Sequence, residues 1–318
     1  MKYYFAPMEG VTGFVYRQAH REQYSGVDRY YAPFVSPNQH HSFKSKEKED
    51  IAPENNEGYT LIPQILSNHV EEFLWAAKEL EARGYKEVNL NLGCPSGTVT
   101  AKGRGAGFLA KPEELDAFLE AIFAQSPIAI SIKTRLGMED PREIFPLLDI
   151  YNKYPATELI IHPRVRAEFY KGVPHKDVFA EVLKRTDLPI CFNGNLFTME
   201  DLARFEEEFP QVDRVMIGRG LIANPGLVDD YRTGSRPDKY KMKAMHDRIL
   251  NHYLEQVSGA HNTIYKMKEL WFYQIHMFAD AKKYEKKIRK SQRLEEYLEI
   301  VDGLFQDLEI AEKSGFPG

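Results

Sequence analysis

The sequence predicts an α/β protein, a (β/α)8 barrel of the TIM type followed by a small all-helical C-terminal domain. Short β-rich runs recur about every 30 residues over the first part of the chain, each followed by a polar, Gly or Pro residue. Apolar residues at helical spacing lie between the runs, and beyond Gly234 only the helical spacing continues. Eight strand–helix units favour a parallel sheet that closes on itself. We therefore assign the barrel to residues 1–234 and the helical domain to residues 240–318.

Eight runs are predicted as strands. They are Lys2–Ala6, Arg29–Ala32, Thr60–Pro63, Val88–Leu90, Ile128–Ile132, Glu158–Ile161, Pro189–Phe192 and Arg214–Ile217. Barrel enzymes place their chemistry at the carboxyl ends of the strands. The residues that directly follow the runs are therefore candidate site residues: Pro7, Pro33, Gln64, Asn91, Lys133, His162, Asn193 and Gly218.

Capping signals indicate where helices begin. Asn68 and Glu71 have capping-box spacing ahead of an apolar stripe, and Thr198 and Asp201 have the same spacing. The stripe after Asn68 consists of Val70, Phe73, Leu74, Ala77 and Leu80. In the predicted helical domain, one stripe consists of Ile249, Leu250, Tyr253, Leu254 and Val257, and another runs from Leu294 to Leu308.

Composition excludes several classes of protein. The chain has 318 residues, a net charge of −5 and no apolar run long enough to span a membrane, so we expect no membrane partner. Nothing in the composition implies an obligate protein partner. Cys94 and Cys191 lie in unlike contexts and lack metal-site spacing, which indicates a reducing, cytoplasmic compartment. His162 has no second ligand at metal-binding spacing, so we predict no metal.

A Gly-rich loop, residues 93–107, follows the fourth predicted strand and carries Cys94, Lys102 and Arg104. Three interpretations of Cys94 stay open: an inert buried thiol, a nucleophile, or a proton donor. The last requires only a thiol that is protonated near neutrality, which an ordinary pKa of about 8.5 allows. Lys102 and Arg104 would favour the thiolate if they approach the sulfur. Cys191, which lies mid-strand among apolar residues, is assigned to the core.

Glycine turns follow the last two predicted strands, at residues 193–195 and 218–220. Barrels commonly bind a phosphate there through backbone amides, and Arg219 adds positive charge. Two such turns favour a phosphate site over two ordinary turns. Lys133 ends an apolar run, where its amine either reaches solvent or stabilises negative charge on a bound cofactor.

Seven motifs follow one another along the chain. They are Ala-Pro-Met-Glu-Gly-Val-Thr at 6–12, Asn-Leu-Asn-Leu-Gly-Cys-Pro at 89–95, Lys-Gly-Arg-Gly-Ala-Gly at 102–107, Ile-Lys-Thr-Arg-Leu-Gly at 132–137, His-Pro-Arg-Val-Arg-Ala-Glu-Phe-Tyr-Lys-Gly at 162–172, Asn-Gly-Asn at 193–195 and Met-Ile-Gly-Arg-Gly at 216–220. Together they resemble the tRNA-dihydrouridine synthase family of flavoenzymes. The motifs cover the whole predicted barrel, and the helical tail is similar to the family's C-terminal domain.

The resemblance implies that FMN reduces the C5=C6 bond of a tRNA uridine, with NADPH or NADH as the reductant. It implies that Cys94 protonates C5 after hydride transfer from flavin N5 to C6. It assigns these residues to the cofactor: Pro7, Met8, Glu9, Gln64, Lys133, His162, Asn193, Gly194, Asn195, Gly218 and Arg219. It assigns Asn91, Lys102, Arg164 and Arg166 to the uridine and the RNA near it. Asn89, Pro163 and Asn195 depart from the family's commonest pattern, so the tRNA position is left open.

Residues 282–293 hold seven basic residues and one acid despite the negative net charge of the chain. A run of charge is usually a solvated surface. Beside the family motifs, however, we predict that Lys286, Lys287 and Lys290 contact the phosphate backbone of tRNA. Two other functions stay open: an FMN barrel that acts on a free pyrimidine, similar to dihydroorotate dehydrogenase, and an RNA-binding protein without redox chemistry.

Overall fold

The computed structural model describes residues 1–256 and 259–318, and Val257 of the predicted stripe lies outside them. In these residues nine strands form a parallel sheet in the order β3-β2-β1-β9-β8-β7-β6-β5-β4 once numbered along the chain. The strands are β1 (Lys2–Phe5), β2 (Arg29–Tyr31), β3 (Leu61–Ile62), β4 (Gln64–Ile65), β5 (Glu87–Leu92), β6 (Ala129–Arg135), β7 (Leu159–His162), β8 (Ile190–Phe192) and β9 (Arg214–Ile217).

Residues 61–65 join the two ends of this sheet. β3 pairs with β2, β4 pairs with β5, and only Pro63 separates β3 from β4. Pro63 has no N–H to donate, but its carbonyl accepts a hydrogen bond from the backbone N–H of Asn89 at 2.9 Å. Two short strands therefore replace the predicted strand Thr60–Pro63, and the second of them begins at Gln64, beyond the predicted end. The sheet is a nearly closed barrel. The predicted fold class is confirmed.

Helices alternate with the strands and then continue alone. They are α1 (Phe14–Gln23), α2 (Ser45–Asp50), α3 (Val70–Ala82), α4 (Gly97–Thr100), α5 (Pro112–Gln125), α6 (Ile144–Tyr151), α7 (Lys176–Val182), α8 (Met199–Glu208), α9 (Arg219–Ala223), α10 (Leu227–Thr233), α11 (Lys239–Gln256), α12 (Ala260–Gln274), α13 (Lys282–Lys290) and α14 (Leu294–Asp307). Short 3-10 turns lie at Pro53–Asn55, Gly105–Ala110, Pro141–Glu143, Arg166–Glu168 and Ile275–Met277. Within the described ranges, no helix combines the length and apolar character needed to cross a membrane.

One of the two capping predictions is confirmed and the other is wrong. Thr198 Oγ1 accepts from the backbone N–H of Asp201 at 3.1 Å, and the Asp201 carboxylate accepts from the N–H of Thr198 at 3.1 Å. The helix that follows Asn68 is instead capped by His69, without a side-chain cap. The Asn68 amide binds the carbonyl of Lys102 and the Arg104 side chain, each at 3.1 Å. The Asn68 side chain therefore binds the distant loop at residues 102–104 and does not cap the helix.

The first compact unit comprises residues 1–9, 29–194 and 211–216 and contains the sheet. Its interior is filled by a buried cluster of Tyr4, Ala6, Tyr31, Ile62, Ile160, Cys191 and Met216. The assignment of Cys191 to the core is confirmed. Below this cluster Glu158 is buried and accepts hydrogen bonds from the hydroxyls of Tyr4 and Tyr31 and from Arg214, at 2.9–3.1 Å. A buried carboxylate is stable here because several donors replace its water.

The second compact unit comprises residues 10–28, 195–210 and 217–318. Trp271 Nε1 donates to the Tyr297 hydroxyl at 2.8 Å, and the same hydroxyl lies 2.7 Å from His246 Nε2. All three rings are buried, so this network fixes how α11, α12 and α14 pack. The boundary between residues 234 and 240 that the sequence suggests stays a prediction.

Candidate active site

Amide side chains form a ladder across β4, β5 and β6. Gln64 pairs in register with Asn89, Asn89 with Ser131, and Asn91 with Lys133. Gln64 Nε2 donates to Asn89 Oδ1 at 2.7 Å, and Asn91 Nδ2 donates to Gln64 Oε1 at 2.7 Å. Asn89 Nδ2 continues the ladder to Ser131 Oγ at 3.0 Å. Because each amide fixes the next, the ladder sets which atom of Gln64 donates and which accepts.

Asn91 also fixes the backbone that carries Cys94. Its Oδ1 accepts from the N–H groups of Gly93 and Cys94, at 3.0 and 2.9 Å. This is an Asx-type turn, in which a short amide side chain holds the backbone two and three residues ahead. Since Asn91 binds Gln64 at its other end, the ladder and the cysteine loop form one network. The role of Asn91 in binding uridine stays a prediction.

The Gly-rich loop packs directly against Cys94. Gly105 has φ +56°, and a Cβ there would lie 2.9 Å from the Cys94 carbonyl oxygen and 3.0 Å from the Cys94 Cβ. The next N–H, of Ala106, donates to the same carbonyl at 3.0 Å. Any side chain at residue 105 would displace the cysteine, so glycine is required at this position.

The two cations of this loop have different surroundings. Arg104 forms an ion pair with Glu72 at 2.8 Å, with both side chains largely shielded from solvent. Lys102 is exposed. The cations that act on the Cys94 sulfur come from β6 instead, and they are Arg135 and Lys133.

The Cys94 thiol is half-buried, and burial raises its pKa above the ordinary value. The backbone N–H of Ser96 and the charges of Arg135 and Lys133 act in the opposite direction without reversing the shift. The sulfur therefore holds its proton at neutral pH. Among the three interpretations of Cys94, this environment disfavours the nucleophile, which requires a lowered pKa, and agrees with both an inert thiol and a proton donor.

Lys133 faces the interior of the barrel. It pairs in register with Ile160, which pairs with Cys191, and both of these belong to the buried cluster. Burial and the neighbouring Arg135 lower the pKa of Lys133 to about 8. Within the part of the chain that the structure describes, Lys133 forms no ion pair. A half-buried ammonium in this position is suited to an anionic or strongly polar ligand.

Arg135 is a site residue that the strand pattern missed. The apolar run ends at Ile132, but β6 continues to Arg135, on the same face of the strand as Lys133. Arg135 is buried, and its guanidinium donates to the carbonyls of Gly93 and Val165 at 2.8 and 3.1 Å. It thereby joins the cysteine loop to the loop after β7. The alternation of Ser131, Lys133 and Arg135 was the signal that could have located it.

His162 is the last residue of β7, and Arg164 and Arg166 lie in the loop after it, in different roles. Arg164 is fully buried and donates to His162 Nε2 at 3.0 Å and to the carbonyls of Lys171 and Gly172 at 3.0 and 2.5 Å. Because a guanidinium only donates, His162 accepts at Nε2 and carries its proton on Nδ1. Arg166 is half-buried, with its guanidinium over the Phe169 ring at 5.3 Å. Contacts of Arg164 and Arg166 with RNA stay predictions.

The remaining first-unit positions lie after β1 and β8. Pro7 and Met8 are half-buried and Glu9 is exposed. Asn193 is buried, and its Nδ2 donates to the Met216 carbonyl at 2.8 Å. A Cβ at Gly194 would lie 2.3 Å from the Phe192 ring, so the backbone there approaches its surroundings more closely than any other residue could.

In the second unit, Asn195, Gly218 and Arg219 lie around the start of α9. Gly218 is the residue before this helix, and Arg219 is its first residue. Arg219 donates to Asn195 Oδ1 at 3.0 Å, and its guanidinium lies over the Phe197 and Phe316 rings at 5.0 and 5.4 Å. A Cβ at Gly220 would lie 2.1 Å from the Leu196 carbonyl oxygen, so two backbone segments pass each other here.

Helix α13 carries the basic cluster predicted to contact tRNA. Lys286, Lys287 and Lys290 are exposed, while Ile288 is buried and anchors the helix. Lys287 Nζ lies 5.6 Å from the centre of the Tyr284 ring. The helix is amphipathic with an almost wholly cationic outer face, which suits a phosphate backbone.

The family model described as dihydrouridine synthase (Dus) matches residues 4–311 of the chain. The chain belongs to this family. Dihydrouridine synthases are flavin-dependent oxidoreductases, and the resemblance found in the motifs is thereby confirmed.

Curated relatives of this dihydrouridine synthase carry the same kind of name. A tRNA-dihydrouridine(16) synthase of Ralstonia nicotianae is 31% identical over 230 residues, covering 70% of this chain and 70% of that protein. A protein of Synechocystis named probable tRNA-dihydrouridine synthase 1 is 29% identical over 237 residues, which is 73% of this chain and 65% of that protein. Probable tRNA-dihydrouridine synthase 2 of Bacillus subtilis is 27% identical over 254 residues, covering 78% and 75%.

Among solved structures, morphinone reductase has a similar fold. One such structure, in complex with tetrahydroNAD, gives a TM-score of 0.53 at 13% identity, covering 77% of this chain and 90% of that chain. At this identity the likeness concerns the barrel fold alone.

A cavity of this dihydrouridine synthase lies away from the residues described above. It has a volume of about 420 Å³. Its lining comes from the amino ends of β2, β3 and β5, as shown by Arg29, Leu61 and Glu87. Barrel enzymes use the opposite, carboxyl ends for chemistry, so we assign no catalytic role to this cavity. In the ranges 1–256 and 259–318, no group of three or more His, Cys, Asp or Glu side chains could hold a metal ion.

Proposed function

We propose that this protein reduces the C5=C6 bond of a uridine in tRNA to give dihydrouridine, with FMN as cofactor and NADPH or NADH as reductant. Family membership and the names of its relatives support the reaction class. The observation that carries the mechanism is the Cys94 thiol, held in a fixed loop with its pKa raised by burial. A tRNA-modifying enzyme with this chemistry would act in the cytoplasm.

The donor groups fit a flavin mononucleotide. On the first unit, Pro7, Met8 and Glu9 would lie along the ring, and Gln64 and Lys133 would bind its polar edge. The ladder holds Gln64 with its orientation fixed, and Lys133 has no competing ion pair among the described residues. His162, Asn193 and Gly194 would contact the ribityl chain. Bound and reduced by NADPH or NADH, the flavin would supply from N5 the hydride that adds to C6 of the uracil.

The phosphate end would be held by Asn195, Gly218 and Arg219. Arg219 supplies the positive charge, and its planar fork of N–H groups matches phosphate oxygens. Gly218, the half-buried residue before α9, would present its backbone N–H to the phosphate without a side chain in the way. These features support a phosphorylated flavin over an unphosphorylated one.

Cys94 would complete the reduction by protonating C5. The S–H bond breaks, the C5–H bond forms, and the electron pair stays on sulfur as thiolate. Arg135, Lys133 and the Ser96 N–H, which already act on the sulfur, would stabilise this thiolate until solvent returns a proton. The reduced product thus receives one hydride and one proton, as saturation of the double bond requires.

The nucleic acid would be bound in two places. Asn91, Lys102, Arg164 and Arg166 would hold the extruded uridine and nearby nucleotides. Lys286, Lys287 and Lys290 on α13 would bind the phosphate backbone, where their exposure leaves them accessible. A uridine must leave its stack to reach a barrel mouth, and binding energy from such remote contacts can offset that cost.

The experiment that tests this function is anaerobic reoxidation of the NADPH-reduced holoenzyme after addition of unmodified tRNA. We expect rapid return of the oxidised flavin spectrum in the wild type. Loss of a proton donor typically slows chemistry by roughly 10²- to 10⁴-fold, so Cys94→Ala should slow this phase by that factor. Cys191→Ala is the matched control, because Cys191 lies in the core and should leave the rate unchanged.

The pH dependence provides a second test of the proton donor. The protonated thiol is the active form, and its pKa is raised, so the wild-type rate should stay level through the ordinary cysteine range and fall only above it. A rate that ignores Cys94→Ala would remove the acid from the mechanism. Reoxidation by free uracil or orotate but not by tRNA would instead identify a free-pyrimidine reductase.

A further inference from the structure

We propose that Phe316 is a positioning residue for Arg219 and thereby sets how tightly the protein holds the phosphate of its cofactor. This inference rests on the proposed FMN-dependent function, because it concerns the phosphate that distinguishes FMN from riboflavin. The residues that carry it all belong to the second compact unit.

Arg219 lies in a corner formed by two phenylalanine rings. Its guanidinium carbon is 5.0 Å from the centre of the Phe197 ring and 5.4 Å from that of the Phe316 ring. The two rings meet edge to face with their centres 5.6 Å apart, so the three groups form a nearly regular triangle. All N–H groups of a guanidinium point outward in its plane. Contact with both rings restricts where the guanidinium can lie, and one of its N–H groups donates to Asn195 Oδ1 at 3.0 Å.

Phe316 is itself fixed by residues distant in sequence. It is 7% exposed, and the ring centres of Tyr273, His276 and Phe272 lie 5.2, 5.6 and 5.9 Å from its own. The residue before it, Gly315, has φ +144°, and a Cβ there would lie 2.9 Å from the Phe197 carbonyl oxygen. The chain therefore runs directly against the backbone of Phe197, and α12 holds the Phe316 ring from the other side.

Through these contacts Phe316 belongs to the same site as Asn195 and Arg219, although it is distant from them in sequence. A long arginine side chain samples many rotamers, and ordering it on a ligand costs entropy. The two rings order it before the ligand arrives and attract its charge. Removing one phenylalanine ring should lower the affinity for the phosphate group of the flavin. Contacts with the isoalloxazine ring should stay unchanged.

The test compares FMN with riboflavin, which lacks the phosphate. Flavin is removed from the full-length protein, and the dissociation constant of each flavin is measured by fluorescence titration. For wild type we expect FMN to bind far more tightly than riboflavin. In Phe316→Ala the FMN affinity should fall about tenfold, as loss of a shielded cation–π contact implies, with the riboflavin affinity unchanged. Phe316→Trp should retain the FMN affinity, because tryptophan presents the stronger face to a cation.

Two further variants separate positioning from folding. In the double variant Arg219→Ala with Phe316→Ala, the loss should not exceed that of Arg219→Ala alone, since Phe316 acts through the arginine. Tyr265→Ala removes an aromatic ring of α12 that is 63% exposed, and both flavins should bind it as they bind wild type. If Phe316→Ala proves unstable, Gly315→Ala shifts the ring by crowding Phe197 and should lower the FMN affinity alone.

The outcomes distinguish this inference from the function on which it rests. Equal losses for FMN and riboflavin in Phe316→Ala, or no loss for either, would overturn the positioning role. If Arg219→Ala loses the preference for FMN and Phe316→Ala keeps it, the inference fails and the cofactor assignment stands. A wild-type protein that binds riboflavin as tightly as it binds FMN would contradict the proposed cofactor itself.

Discussion

Two groups of cations in this molecule carry the same charge in opposite surroundings. The inner cations, Lys133, Arg135 and Arg164, are buried or half-buried in the first unit, and two of them donate to backbone carbonyls. The outer lysines, Lys286, Lys287 and Lys290, are exposed on α13. Buried charges have shifted pKa values and fixed geometry, whereas exposed charges are mobile and screened by salt. The inner group therefore holds loops and is suited to the proposed contact with a bound ligand, whereas the outer group is suited to the proposed attraction of a polyanion.

The largest effect is expected from Arg164→Met, which tests whether an inner cation holds the loops around it. The substitution leaves buried His162 Nε2 and two part-buried carbonyls without their donor, so we expect the free energy of unfolding to fall by about 3 kcal/mol. Urea denaturation measures this. Arg204→Met is the control, because Arg204 is exposed and its ion pair with Asp201 is 4.0 Å long, and its effect should be within about 0.5 kcal/mol. An unchanged free energy of unfolding in Arg164→Met would show that Arg164 does not hold these loops, and weakened tRNA binding in the same variant would then leave the proposed RNA contact as its role.

The second test neutralises the outer lysines. Replacing Lys286, Lys287 and Lys290 by Gln together should lower tRNA affinity by roughly 10- to 100-fold at low salt and reduce the slope of log affinity against log salt by about 2. Stability should be unchanged, since the three side chains are exposed. The matched control neutralises Lys48, Lys78 and Lys184, which are also exposed. Equal loss of binding in both triple variants would mean that net charge, and not the α13 surface, attracts the RNA.

The third test concerns Lys133 and pH, with the smallest change expected per unit of pH. Its pKa is about 8 in the folded chain and 10.5 ordinarily, so between these values the unfolded chain binds more protons. Stability of the flavin-free protein should therefore rise with pH in this window, by at most about 1.4 kcal/mol per pH unit. Lys133→Met should lack this rise, while Lys184→Met should retain it. Parallel stability curves for wild type and Lys133→Met would show that the Lys133 amine is as well solvated as an outer lysine.

Regular features of this chain were open to prediction from sequence, and long-range ones were not. The run Arg214–Ile217 coincides with β9, because apolar β-branched residues and pairing end together there. β6 continues past its apolar run, since backbone pairing does not require apolar side chains, and Arg135 was missed for that reason. The Asn68 cap failed because Arg104 and the Lys102 carbonyl, more than thirty residues away, compete for the same amide. No local pattern connects Phe316 with Arg219. The assignments of site residues that came from the family resemblance stay predictions.

The raised pKa of Cys94 has a consequence for how fast its sulfur is oxidised in air. A reduced flavin that meets oxygen releases hydrogen peroxide, and peroxide attacks thiolates far faster than thiols. A cysteine with a low pKa beside such a cofactor would soon become a sulfenic and then a sulfinic acid. Burial keeps the Cys94 sulfur protonated and would therefore slow its oxidation by peroxide. The environment that suits Cys94 to the proposed proton donor would thus also protect it from oxidation beside a flavin.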